Sequence, residues 1–122
     1  MSAAAFDTDI LVDALRGVPE AGRELARYAQ RYVSRVTWME IFRRGLPDDA
    51  RNAEGFLANF SIVELNEEIA RCAAQLRAQQ PSLTLDNAVI LASAQTSGRI
   101  LVTRNTKDFP AAMPGIRVPY TL

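Results

Sequence analysis

AAAFDTDILVDALRG, residues 3–17, is the stretch from which the fold can be read. Ala3–Phe6 is short, apolar and unbroken, as a strand buried on both faces should be. It ends at an acid, Asp7. From Thr8 the period changes: Ile10, Leu11, Ala14 and Leu15 share one side of a helix, which Gly17 and Pro19 close. A buried strand running through an acid into an amphipathic helix opens a βαβ unit.

The same grammar repeats downstream. Pro19 fits the first turn of a second helix with Leu25, Ala26 and Ala29 inward. Residues 32–36 are β-rich. Thr37 fits an N-cap with Glu40 three residues on, so T-W-M-E matches a capping box, and Ile41, Phe42 and Leu46 follow. Pro47-Asp48-Asp49 marks a turn and a fresh helix start, with Phe56, Leu57 and Phe60 as its apolar stripe. A strand is expected over 61–65. Asn66 caps a helix reaching about Gln80, with Ile69, Ala70, Ala73 and Leu76 inward, and Pro81 breaks it. The nearly uncharged run 86–96 reads as a core helix ended by Gly98. Residues 100–103 are expected as a strand, 105–109 as a turn or short helix, and 116–119 as an edge strand, since Pro119 lacks a donor. Strands alternating with helices predict an α/β fold, a three-layer α/β/α sandwich on a mainly parallel sheet. At 122 residues the expectation is one domain, 1–122.

Composition narrows the chemistry. The chain has no histidine and one cysteine, Cys72, so His-based zinc sites, Ser-His-Asp triads and internal disulfides are excluded. Cys72 reads as a small buried apolar residue. Net charge is zero, so no global field draws in nucleic acid, although 13 of the 14 basic residues are arginine, a residue that grips phosphate bidentately. No apolar run approaches the roughly 18–20 residues of a membrane span. MSAAAF lacks the features of a secretory signal, and a cytoplasmic location is expected.

Any metal site must therefore be built from oxygen donors. Four acids stand beside apolar segments: Asp7, Glu40, Asp86 and Asp108. Each has a plain structural reading. Asp7 and Asp86 suit helix N-caps, Glu40 the capping box, and Asp108 a solvated turn. Taken together they fall at the carboxyl edge of the expected sheet, where such folds bind ligands. Isolated buried carboxylates are costly, and a hard cation such as Mg²⁺ or Mn²⁺ relieves them. Carboxylates this close repel, so some should titrate high without metal.

FDTDILVDALRG, VTWMEIFRRG and ILVTRNTKDF resemble the PIN-domain ribonucleases, in particular the VapC toxins of bacterial toxin–antitoxin pairs, and the likeness runs to the ending PGIRVPYTL. The resemblance implies a PIN-like sandwich and an endoribonuclease dependent on Mg²⁺ or Mn²⁺, acting on tRNA or other structured RNA. It implies a homodimer silenced by a cognate VapB-type antitoxin. That partner would dock in the groove of the early helices, about residues 10–29, and those after Glu40. It further implies that Asp7 is the first metal ligand, Glu40 the second acid and Asp108 a less regular fourth. Thr103 would be the hydroxyl that helps hold the site, with Thr8, Asp9 and Asn105 supporting.

Two positions depart from the pattern. The usual D-T-N reads Asp7-Thr8-Asp9 here, so Asp9 caps the helix or adds charge to the site. The third acid usually opens a D-A-x-I-x-A-T-A run, but a gapless count back from Thr103 places Asn87 there, with Asp86 one residue earlier. Either Asp86 supplies the carboxylate, the reading preferred from sequence, or Asn87 enters as a neutral ligand and one negative charge is lost. The second case makes a weakened PIN domain, acting as an RNA- or antitoxin-binding module, the alternative to an active toxin. A DNA nuclease using the same acids is a third reading. Arg104 and Arg16 are candidates for RNA phosphate, or else pair with acids. Trp38 reads as a core anchor, and Tyr28 and Tyr32 as packing residues.

Overall fold

In the computed structural model of the chain, residues 2–44 and 50–122 are described, without the side chains of Arg44, Ala50 and Arg51. The expected turn at Pro47-Asp48-Asp49, with Leu46, lies outside them. The order is β1 (Ala3–Phe6), α1 (Thr8–Leu15), α2 (Pro19–Ala26), β2 (Gln30–Ser34), α3 (Arg35–Arg44), α4 (Ala50–Leu57), β3 (Ser61–Val63), α5 (Glu67–Gln79), α6 (Leu85–Thr96), β4 (Leu101–Val102) and β5 (Ile116–Arg117). All five strands are parallel, in the order β3-β2-β1-β4-β5.

Strand alternation sorts the core into two layers. Ala4, Phe6, Val33 and Val102 point to one face, where they meet Ile10 and Leu11 of α1, Ala21 of α2, Ile41 of α3 and Leu57 of α4. Ala5 and Leu101 point to the other, against Ile69 and Ala73 of α5 and the buried run of α6. The expected three-layer α/β/α sandwich with a parallel sheet is what forms. Seven consecutive residues of α6, Ala88 to Ala94, are buried, so its helical wheel shows little polarity. β5 is at the edge, as Pro119 suggested.

Several boundaries differ from the sequence reading. β2 covers 30–34 rather than 32–36, because Ser34 starts α3: its Oγ accepts from Thr37 N at 3.1 Å. Thr37 is thus not the N-cap, and Glu40 is not in a capping box. Val36 enters the helix despite its β-propensity because it packs against the second core layer. On α2 the buried side chains are Ala21 and Glu24, while Ala26 and Ala29 are exposed. Glu24 tolerates burial because Arg117 donates to both its oxygens, at 2.7 and 3.0 Å, and Tyr28 donates at 3.2 Å. Ala70 is also exposed, and Cys72 is half-buried.

The connections carry the chain from β1 outward through β2 to β3, then back across the sheet to β4 and β5. The order therefore reverses between β1 and β4. Such a switch point leaves a crevice beyond the carboxyl ends of the two strands. Asp7 and Thr103 are the first residues past those ends, and the Asp7 amide donates to Val102 O at 2.9 Å.

Candidate active site

At this crevice lies a cleft of about 460 Å³, lined by Asp7, Thr8, Asp9, Glu40, Asn87, Arg104, Asn105, Thr106 and Lys107. Asp7 is at its base, 4% exposed. It is the N-cap of α1, and its Oδ1 accepts from the Thr8 amide at 2.7 Å. Its Oδ2 accepts from the Thr103 hydroxyl at 2.7 Å. Thr103 Oγ1 in turn accepts from the Asn105 amide at 3.0 Å, so one hydroxyl ties β1 to the turn after β4. Asp7 thus caps α1 and lines the cleft at once, as the positive end of a helix allows.

Glu40 approaches from α3. Its Oε1 accepts from the Thr8 hydroxyl at 2.5 Å. Thr8 Oγ1 also lies 3.1 Å from Thr37 Oγ1, with Ser34 Oγ 3.4 Å beyond. A threonine hydroxyl has one proton, and a carboxylate is the stronger acceptor. Thr8 therefore donates to Glu40 and accepts from Thr37. A buried line of hydroxyls, Ser34–Thr37–Thr8, orients this acid. Ser34 and Thr37 were not singled out as site residues. Their signal was a run of Ser and Thr at a strand end, which capping alone explains equally well.

Of the two candidates for the third acidic position, Asn87 lines the cleft, while Asp86 is exposed and lines a neighbouring hollow with Val36, Met39, Glu40 and Arg43. The cause is the helix start. Thr84 is the N-cap of α6, accepting from the Asn87 amide at 3.2 Å, so the helix begins at Leu85 and turns Asp86 away. Asp108 does not line the cleft. Its Oδ2 accepts from Asn87 Nδ2 at 2.8 Å and Asn105 Nδ2 at 3.1 Å, so it clamps two amides that do. Asn105 Oδ1 accepts from the Asp108 amide at 3.3 Å and closes the turn.

The basic residues also sort. Arg104 is engaged: its guanidinium donates to Asp13 Oδ2 at 2.8 Å and Oδ1 at 3.0 Å, and Tyr120 adds a hydroxyl at 2.8 Å. Burial would raise Asp13, but these donors hold its carboxyl below the usual range. The Arg104 backbone amide, rather than its side chain, serves the cleft, donating to Asp9 Oδ2 at 3.1 Å. Arg16 is the exposed C-cap of α1, at the end away from Asp7. Lys107, overlooked in the sequence because it is the lone lysine in a turn, lines the cleft rim. Trp38 stacks on Phe42 with centroids 4.4 Å apart and carries Arg35 over its ring, as a packing residue would.

The cleft holds more negative charge than it neutralises. Burial, then the neighbouring Asp9, pushes the Asp7 carboxyl up to about 7, against the Thr103 and Thr8 donors. Burial also raises Asp9, opposed by Arg104. Asp9 Oδ1 is buried and makes no hydrogen bond. Oxygen donors only, excess negative charge and an orphaned carboxylate oxygen fit a hard divalent cation. Among the described residues no three Asp, Glu, Cys or His side chains are grouped so as to hold a metal ion by themselves. Mg²⁺ usually keeps several waters, so an open set of donors suits it.

A family model described as the PIN domain matches residues 4–112. No curated protein sequence matches. Among solved structures the chain is similar to one in a toxin–antitoxin complex from Klebsiella pneumoniae, at 37% identity and a TM-score of 0.90, covering 98% of this chain and 99% of that one. It shares its fold with a chain of FitAcB from Neisseria gonorrhoeae, at 21% identity and a TM-score of 0.78 over 98% and 99% of the two chains. It shares it also with a chain of DNA-bound VapBC from Salmonella typhimurium, at 23% identity and a TM-score of 0.77 over 96% of each.

Proposed function

The chain belongs to the PIN domain family, and from that premise we propose that it is the toxin of a type II toxin–antitoxin pair: an Mg²⁺- or Mn²⁺-dependent endoribonuclease restrained by a VapB-type antitoxin. The family's members are nucleases, generally dependent on divalent metal. The observation that carries the catalytic reading is the buried Asp7 at the strand switch point, crowded by the half-buried Asp9 and lining one cleft with it and Glu40. The partner reading draws on the 37% identity to a chain of a toxin–antitoxin complex along almost its whole length.

The cation would be held by Asp7, with Glu40 and the amide of Asn87 near it. When bound, it would supply a water of lowered pKa and offset charge on the phosphate under attack. The protein's own groups do the positioning. Thr103 fixes the Asp7 carboxylate, and the Ser34–Thr37–Thr8 line fixes Glu40 within reach of a water proton. Asp108 sets the amides of Asn87 and Asn105. Lys107 at the rim offers the phosphodiester a cation, while Arg104 is spent on Asp13. RNA cleavage by purified protein with Mn²⁺, set against Asp7→Asn, tests the assignment, and equal activity in the two would remove it.

Asn87 favours a second reading, a weakened PIN domain that holds RNA or antitoxin without cutting. Weak divalent binding, unaffected by Asp7→Asn, would select it. In either case the chain acts as one domain. A second copy covers the groove of Val36, Met39, Leu65, Ala73, Leu85 and Val89. Met39, Leu65 and Leu85 are exposed there by 57%, 52% and 60%, and beside Leu122 they are the large apolar side chains most open to solvent among the described residues.

A further inference from the structure

Asp9 has the one side-chain oxygen or nitrogen, among the described residues, that is both buried and without a hydrogen-bond partner. Native folds satisfy nearly all such atoms, and a carboxylate oxygen is among the costliest to leave bare. The neglect is specific to one oxygen. Asp9 Oδ2 accepts from the Arg104 amide at 3.1 Å, and that bond fixes the side chain so that Asp9 forms part of the cleft wall. The Arg104 guanidinium is nearby but is taken by both oxygens of Asp13. Oδ1 is thus left buried and without a hydrogen bond in the wall that Asp9 shares with Asp7.

Across the cleft, position 87 carries an amide. Asn87 Nδ2 is directed to Asp108, so this wall offers a carbonyl oxygen at most and no charge. A divalent ion placed against Asp7, with Glu40 near it, would therefore find a further carboxylate at Asp9 and none at 87.

We infer that Asp9 binds the divalent cation of the cleft through Oδ1, supplying the carboxylate that position 87 lacks. This rests on the metal-dependent reading of the cleft proposed above. It also gives the Asp9 departure from D-T-N a function: charge absent at one wall is present at another.

Asp9→Asn is the informative variant, because the amide keeps an oxygen for the Arg104 amide and removes the charge. Mn²⁺ affinity is measured by titration calorimetry on wild type, Asp9→Asn and Asp7→Asn at about 0.15 M and about 0.5 M salt, with no RNA present. Direct ligation predicts a loss of at least about tenfold in Asp9→Asn that persists at the higher salt, where unligated charge is screened. Thermal unfolding in chelator gives a second readout. Loss of a bare buried carboxylate should leave the metal-free protein as stable or more stable, whereas a merely structural Asp9 would lower its Tm. Asp9→Asn binding Mn²⁺ as tightly as wild type overturns the inference and leaves the metal reading intact. Wild type taking up no Mn²⁺ overturns both.

Discussion

Asp7 makes the protein's stability depend on pH in an unusual direction. An unfolded aspartate titrates near 3.8, and in the folded chain Asp7 titrates at about 7, chiefly through burial and then Asp9. The folded state therefore holds a proton there that the unfolded state has lost. The contribution is fully present below about pH 4 and is gone once the pH passes about 7. Asp13 and Glu24, held low by arginine, act in the opposite sense on acidification, so the comparison with Asp7→Asn isolates the effect. In chelator, urea unfolding should show wild type losing stability relative to Asp7→Asn as the pH rises from about 4 to about 7. A difference that is flat, or grows the other way, contradicts the account of this site. Asn87 gives a second prediction at this scale. Asn87→Asp adds charge to the cleft and removes a donor from Asp108, so Mn²⁺ affinity should rise while the metal-free Tm falls. Calorimetry and thermal unfolding check the two halves, and unchanged Mn²⁺ affinity would show that position 87 stands outside the ion's reach. These residues also show what sequence conceals. Asp7 is legible because strand, acid and helix follow one another directly. Asp86 and Asn87 differ by one residue, and only the cap at Thr84 decides which of them turns inward.

The elements position the site through their ends. α3 begins at Ser34, and that cap also starts the hydroxyl line reaching Glu40. Ser34→Ala should cost about 1 kcal/mol of stability by denaturant titration and lower cleavage by loosening Glu40. Full activity in this variant would separate the cap from the site. The turn after β4 holds two cations with different employment. Arg104→Met leaves the buried Asp13 carboxylate without its fork and should destabilise the fold by about 2–3 kcal/mol. Lys107→Gln should leave stability within about 0.5 kcal/mol and reduce the salt dependence of RNA binding. Equal salt slopes for wild type and Lys107→Gln would remove Lys107 from the RNA-binding surface. Sequence offered Arg104 for phosphate and passed over Lys107. Arg104 pairs with Asp13, 91 positions away in the chain, and no local pattern records that pair. Helices were legible from periodicity as elements, though Ala26, Ala29 and Ala70, expected inward, are exposed. The boundary at Ser34 was not, because a serine cap lying before a threonine leaves two starts with equal local claims.

At the scale of the molecule, the parallel order β3-β2-β1-β4-β5 brings residues 7, 40, 87 and 105 to one crevice. The alternation of strands and helices announced that architecture, and the two-layer core follows from the alternation of Ala4, Ala5 and Phe6. What the alternation could not carry is which face stays uncovered. The groove with Met39, Leu65 and Leu85 emerges only when α3, α5 and α6 are packed. Leu85→Asp should shift the protein from dimer to monomer in light scattering while leaving Mn²⁺ affinity unchanged, and a wild type that is monomeric would remove the groove as a dimer face. The central claim is that this crevice cuts RNA with a divalent ion centred on Asp7. Its most direct test is cleavage of matched RNA and DNA strands by wild type and Asp7→Asn, with Mn²⁺ and with chelator. The account predicts RNA cleavage by wild type with Mn²⁺ alone, lost in Asp7→Asn and in chelator, with the DNA strand spared. RNA cleavage that survives in Asp7→Asn or in chelator would contradict it.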